Sequence, residues 1–321
     1  MQKINVCILG AGGQLGSKLI EKFKDNEILT IYAVDKIFKS KYTKNNIKYL
    51  SIDLNKNIEK AFQQIPQNET VFINCVGLQH SIWSKDIMKI NYKLNKEIYK
   101  YISNNFLNFY YIFISSLSVD FKNSSKVFPG KGNPINMYGK AKLKFENYLF
   151  ENTNQNSNIS IIRPAAFYDV NLSQNLLNFF DLLINKIFFL PTKKIERSFL
   201  SLEYFSSFME KYILSDKKKN IFEIGDSGPI EFNRLIESIK ASNINVNSKI
   251  FKIPTFIFKL AGFVGYSFER IGIHINLLTI LGEFGYDYIA NENDLDIDNR
   301  SENTYINFKN LIIDNFNLES E

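Results

Sequence analysis

The apolar run Lys3–Leu9 breaks into Gly10-Ala11-Gly12-Gly13-Gln14-Leu15-Gly16, and helical spacing takes over at once through Leu15, Leu19, Ile20 and Phe23. A strand that turns on clustered glycines straight into a helix admits few folds. Glycine permits the tight turn and lets the backbone come close to a bound phosphate. The unpaired N–H groups and the positive end of the helix then favour an anion. Alone, such a pattern is weak. It gains force because the next apolar run, Leu29–Val34, closes on Asp35, an acid placed to accept hydrogen bonds from adenosine ribose hydroxyls. Asp35 would repel an added ribose phosphate, so NAD is expected ahead of NADP, although Lys36 and Lys39 keep the latter open. A third run, Ile47–Ile52, ends at Asp53, read either as a partner for the adenine amino group or as a strand-end cap.

Further strands are expected at Thr70–Val76, Phe109–Ser115 and Ile159–Ile162, with helical patterns between them. Strands that are apolar almost throughout and alternate with helices predict a parallel sheet covered on both faces. Arg163-Pro164 suits a strand terminus. Beyond Tyr168 the alternation fades. Leu172–Phe188, Glu203–Leu214 and Phe232–Ser242 read as helices, with short strands at Arg197–Leu200 and Asn220–Ile224. The expected organisation is therefore residues 1–168 as a dinucleotide-binding domain, completed by strand segments near 197–224, and residues 169–321 as a smaller, mainly helical substrate lobe.

Tyr138-Gly139-Lys140-Ala141-Lys142 sets a phenol and an amine four residues apart, on one face of a helix. A protonated lysine beside a phenol is expected to lower its pKa and make it a proton shuttle near neutral pH. Common by chance, the pair gains weight from its place after the sheet and after Ser115-Ser116.

Together these motifs resemble the NAD-dependent epimerase/dehydratase branch of the extended short-chain dehydrogenases, most specifically over the first 170 residues or so. The resemblance implies a Rossmann-type α/β fold, a doubly wound parallel sheet, with NAD held by Gly10, Gly13, Gln14, Leu15, Gly16, Asp35, Asp53, Leu54, Cys75, Val76, Gly77, Asn91, Tyr138, Lys142 and Pro164. It implies catalysis by Ser116, Tyr138 and Lys142. Ser116 fits better than Ser115 because it stands three residues before Val119. Arg197-Ser198-Phe199 resembles the arginine-led strand that contacts nucleotide-sugar phosphates, and Gln79, His80 and Ser116 join Arg197 as candidate substrate contacts. The sequence departs from the family pattern at Asp120 and Asp169, and the acid–base pair expected of a 4,6-dehydratase is replaced by Leu117-Ser118. A nucleotide-sugar epimerase and a ketone reductase or alcohol dehydrogenase, including a steroid-like one, are the leading readings. A noncatalytic cofactor-bound assembly subunit stands behind them.

The rest of the chain narrows the alternatives. A composition of 45% hydrophobic and 22% charged residues is that of a globular protein. The +6 net charge comes from scattered lysines and only five arginines, which argues against nucleic-acid reading. Cys7 and Cys75 lie in strand-like runs without metal or disulfide spacing, and no catalytic metal is expected. Without a leader-like N-terminus, a cytoplasmic enzyme is expected. Ile253–Leu281 is strongly apolar but interrupted by Lys259, Glu269 and Arg270. It reads first as a wall of the second lobe or a homodimer contact, and only second as a face laid on a bilayer. His274, within it, reads as structural.

Overall fold

The structure is a computed structural model that describes residues 3–79, 81–120, 131–152, 158–169, 180–181, 187–215, 220–240, 249–290 and 304–316. Seven strands form one parallel sheet: β1 (Ile4–Leu9), β2 (Leu29–Asp35), β3 (Ile47–Ser51), β4 (Asn68–Asn74), β5 (Asn108–Ile114), β6 (Asn158–Pro164) and β11 (Asn220–Ile224), in the order β11-β6-β5-β4-β1-β2-β3. The strand order reverses beside β1, which pairs with β2 on one side and β4 on the other. In an open parallel sheet that reversal leaves a crevice beyond the strands' C-terminal ends, where ligands bind.

The continuous apolar character of the strands has a direct cause. Along β1, Val6 and Ile8 face one core and Cys7 and Leu9 the other, and all four are fully buried. Helices α1 (Gln14–Phe23) and α6 (Leu202–Leu214) cover the first face through Leu19, Phe23, Phe205 and Met209. On the second face lie α2 (Ile58–Phe62), α4 (Asn95–Asn105) and α5 (Met137–Glu151), where the Phe113 and Phe145 rings meet edge-on at 4.7 Å. Truncating Phe145 to alanine would cost about 3–5 kcal/mol, the usual penalty for a large buried ring.

The segment before α4 departs from simple helix. After α3 (Ser84–Met88) the chain makes a π-turn over Lys89–Leu94, which inserts a residue into the ladder and turns Asn91 inward. Beyond the sheet, short ladders join β7 (Ala166–Tyr168) to β10 (Phe199–Ser201), β9 (Glu196–Arg197) to β12 (Ile230–Glu231), and β8 (Ile187–Pro191) to β13 (Lys249–Ile253). The strand expected over Arg197–Leu200 is thus two, split at Ser198. The end of the helix expected over Leu172–Phe188 is strand β8, while 172–179 and 182–186 lie outside the described residues. Helices α7 (Phe232–Lys240), α8 (Thr255–Arg270), α9 (Asn276–Glu283) and α10 (Thr304–Phe316) complete this part. Phe180, Phe199, Phe258, Phe284 and Phe308 lie in its core.

Candidate active site

Two clefts open at the C-terminal end of the sheet. The first, about 340 Å3, is lined by Gly10, Gly13, Asp35, Asp53, Leu54, Cys75, Val76 and Gly77, with Lys36 and Leu78 among the others. Gly10 has φ 77°, a region that costs other residues a Cβ clash, and a Cβ on Gly16 would stand 2.4 Å from the Gly10 carbonyl oxygen. Helix α1 then begins with no side-chain cap and no acid in its first turn. Its free N–H groups are an electropositive end suited to a pyrophosphate. Gln14 and Leu15 begin this helix outside the cleft lining.

Asp35 accepts from the Gly12 N–H (2.9 Å) and the Lys36 N–H (2.6 Å), which fixes its carboxylate against the glycine turn. Asp53 accepts from the Asn55 N–H (3.0 Å) and also faces the cleft, so it combines a local cap with a cleft position. The β4 exit is held from behind. Asn74 Oδ1 accepts the Val76 N–H, and Asn91 spends its amide on the 77–78 turn, accepting from the Leu78 N–H (3.2 Å) and donating to the Leu78 carbonyl (2.7 Å). Asn91 therefore shapes the cleft wall rather than lining it. Cys75 lines the cleft, and burial pushes its thiol up to about 12. Pro164 ends β6 outside the lining of both clefts.

The second cleft, about 110 Å3, brings together Gln79, Ser116, Tyr138 and Arg197 with Ser118, Asn136, His274, Glu283 and Tyr288. His80 lies outside the described residues. Trp83 is half exposed and stands under Lys85, 5.4 Å from its ring.

Helix α5 places the phenol. Asn136 caps it by accepting the Gly139 N–H (2.8 Å). A Cβ on Gly139 would lie 2.0 Å from the Ser118 carbonyl oxygen, so glycine there lets the helix start press onto the 116–118 turn and brings Tyr138 to Ser116. One turn later Lys142 donates to the Ile114 carbonyl (2.8 Å), and its ammonium lies 5.8 Å from the Tyr138 ring centre. A Cβ on Gly77 would stand 3.4 Å from Nζ, which places Lys142 between the clefts.

The electrostatics run against the expectation for Tyr138. Burial raises its phenol to about 12, outweighing a hydrogen bond from Ser116 that acts the other way. Burial also lowers Lys142 to about 8, ahead of the opposing pull of Cys75 and Glu146. The chain's own lysine therefore does not turn Tyr138 into a phenolate. At neutral pH the phenol keeps its proton. A chain of hydroxyls leads away from it: Ser116 and Ser118 Oγ are 3.0 Å apart, and the Tyr288 hydroxyl donates to Ser118 Oγ (2.9 Å). Ser115, by contrast, donates to buried Glu146 (2.5 Å), which also receives Nε and Nη2 of Arg163 at 3.1 and 2.7 Å. That network ties α5 to β6.

The opposite wall comes from the α8–α9 turn and α9, with Glu269 of α8 behind it. His274 Nδ1 is 2.5 Å from Glu269 Oε1, while Glu269 Oε2 accepts the Met137 N–H (2.7 Å). Glu283 accepts from Asn136 Nδ2 (2.8 Å) and lies 4.0 Å from Arg197. Burial raises Glu283 and lowers Arg197, exceeding their mutual attraction on both sides. Among the described residues, three buried side-chain nitrogens lack a hydrogen-bond partner: Arg197 Nε, Arg197 Nη2 and His274 Nε2. All three belong to residues lining this cleft. His274 is thus no inert core residue. Only its position five residues after Glu269 hinted at this, and that spacing is uninformative alone.

A parallel sheet with a glycine cradle at its reversal point, and a Tyr–Lys pair beside a second cleft, defines a dinucleotide-dependent enzyme of the short-chain dehydrogenase class. The chain belongs to the NAD dependent epimerase/dehydratase family, which matches residues 6–187. No curated protein matches it. Solved structures with this fold include a UDP-N-acetylglucosamine 4-epimerase from Methanobrevibacter ruminantium M1 in complex with UDP-N-acetylmuramic acid. It is 16% identical, with a TM-score of 0.64 over 78% of this chain and 86% of that one. A UDP-glucuronic acid 4-epimerase from Bacillus cereus in complex with NAD is 17% identical, with a TM-score of 0.64 over 78% and 88%. A dTDP-4-dehydrorhamnose reductase from Clostridium acetobutylicum is 18% identical, with a TM-score of 0.57 over 79% and 86%. At these identities the likeness is one of fold.

Proposed function

We propose that this chain is an NAD-dependent epimerase that acts on a nucleotide-linked sugar at a secondary alcohol. The observation carrying the reading is the second cleft, where Tyr138 and Ser116 share a pocket with the unpartnered nitrogens of Arg197 and His274. Buried polar groups without partners are costly, so a cleft holding several is shaped for a ligand rich in oxygen and hydroxyl groups. The guanidinium suits a phosphate and the imidazole a sugar hydroxyl. The two UDP-sugar 4-epimerases that share the fold support the same substrate class.

Gly10, Gly13 and the start of α1 would hold the pyrophosphate of NAD, Asp35 its adenosine ribose, and Lys142 the side nearer the reaction. Bound NAD supplies reversible hydride acceptance. The chain's own groups manage the proton. Tyr138 Oη gives or takes it at the substrate oxygen, Ser116 Oγ donates a hydrogen bond to that oxygen as charge builds, and the hydroxyls of Ser118 and Tyr288 extend the path. The α8–α9 turn and α9 close the far side and limit access of water.

One finding favours a second reading, net ketone reduction: a dTDP-4-dehydrorhamnose reductase shares the fold. Incubating the protein and NAD with UDP-, GDP- and dTDP-sugars separates the two. Inversion at one carbon by NMR without accumulating NADH supports the epimerase. Net cofactor turnover supports the reductase. Turnover of an unphosphorylated alcohol or ketone with no reaction of any nucleotide sugar overturns the substrate class.

A further inference from the structure

Helix α8 is built inside out. Most of its large apolar side chains, Phe256, Ile257, Leu260, Phe263, Val264 and Phe268, with Ile271 just past its end, are exposed, Phe256 by 65%, Phe263 by 68% and Ile271 by 73%. Apart from Phe258 and Glu269, which are buried, its inward face is small. Gly262 meets Gly282 of α9 backbone to backbone, a Cβ on either falling within 2.8 Å of the other's Cα, and Gly265 sits against Leu278. A helix pair in water normally does the reverse, burying its large apolar residues and exposing polar ones. Small residues inward with large apolar residues outward is the arrangement of helices whose surroundings are themselves apolar.

The charges beside this stripe identify those surroundings. From Lys249 to Gly282 the basic side chains Lys249, Lys252, Lys259 and Arg270 are all exposed, and the one acid, Glu269, is buried against His274. Trp83, half exposed, is bridged to Ile273 at the α8–α9 turn and carries Lys85 over its ring. An apolar face with a basic rim and a tryptophan at its edge matches a bilayer interface with anionic headgroups. A second copy fits poorly, because a two-fold contact would bring two sets of these cations together with no exposed acid in the segment to pair. Crossing the bilayer does not fit either. Helix α8 has 16 residues, and among the described residues no helix is long and apolar enough to span a membrane.

We propose that the outer face of α8, with the α8–α9 turn and Trp83, is a peripheral docking surface for an anionic lipid membrane. The inner side of the same hairpin, through His274 and Glu283, walls the second cleft. Docking therefore sets the back of the active-site wall on the bilayer, whatever the substrate.

The test is co-sedimentation of the full chain with vesicles of mixed phosphatidylglycerol and phosphatidylcholine, against phosphatidylcholine alone. The mixed vesicles should bind at least about tenfold more tightly, and less so as salt rises. The exposed pair Leu260→Ser/Phe263→Ser should lose about tenfold or more of that binding with an unchanged melting temperature. Lys252→Glu should weaken it about fivefold or more. Absence of binding to the mixed vesicles overturns the proposal, as does binding that the Leu260→Ser/Phe263→Ser pair leaves intact. So does a dimer, seen by analytical ultracentrifugation, that the same pair dissociates in a protein that ignores lipid.

Discussion

Replacing Lys142 by methionine should stabilise the cofactor-free protein while destroying its activity. Lys142 is 3% exposed, and burial lowers it from 10.5 to about 8. At about 1.4 kcal/mol per tenfold change in proton affinity, the protonated side chain costs the folded state about 3 kcal/mol. Methionine fills a similar volume but forfeits the bond to the Ile114 carbonyl, which offsets about 1 kcal/mol. A net gain of about 2 kcal/mol remains at pH 7, a few degrees in melting temperature. The pH dependence separates this cause from better packing. Below pH 8 the lysine is protonated in both folded and unfolded chains and the full penalty applies. Between about 8 and 10.5 the folded protein has released the proton and the unfolded chain has not, so wild-type stability climbs towards that of Lys142→Met. Urea titrations of both proteins at pH 7 and pH 10 would show the gap closing. A less stable variant at pH 7, or a gap that ignores pH, refutes the reasoning.

Glu146→Leu should cost about 3–5 kcal/mol in urea unfolding, since it leaves the buried Arg163 guanidinium without its two-pronged partner. A loss under about 1 kcal/mol would show the pair to be dispensable. His274→Gln should lower kcat/KM for a nucleotide-sugar substrate about tenfold, the worth of one well-placed hydrogen bond, with an unchanged melting temperature. Unaltered kinetics would remove the imidazole from substrate contact.

The parts of the site legible in the sequence are local. The glycine turn, Asp35 and the Tyr138–Lys142 spacing each lie within one strand–turn–helix unit, whose backbone geometry follows from a few neighbouring residues. Position alone did not reveal charge state. Spacing put a lysine near a phenol but carried no information on burial, and burial decides the direction of both shifts. The far wall was illegible for another reason. Glu269 meets Met137 across 132 residues and Tyr288 meets Ser118 across 170, contacts that no local pattern encodes. The apolar period of 253–281 was visible, and the wall it predicts is there. Periodicity gives the width of a stripe, however, and not the side that faces water; the glycine contacts between α8 and α9 decide that. Likewise Asn91 reads as a cofactor contact in sequence, but its amide is engaged with the 77–78 turn.

The account rests on Tyr138 as the group that moves the proton where the two clefts meet. The direct measurement is turnover and NAD affinity of Tyr138→Phe beside the wild type, using a substrate identified from the nucleotide-sugar panel. The ring keeps its packing and only the hydroxyl is removed, so NAD affinity should stay within about twofold while kcat falls by about 100- to 10,000-fold, the usual worth of a positioned acid–base group. Near-normal turnover by Tyr138→Phe would contradict the account.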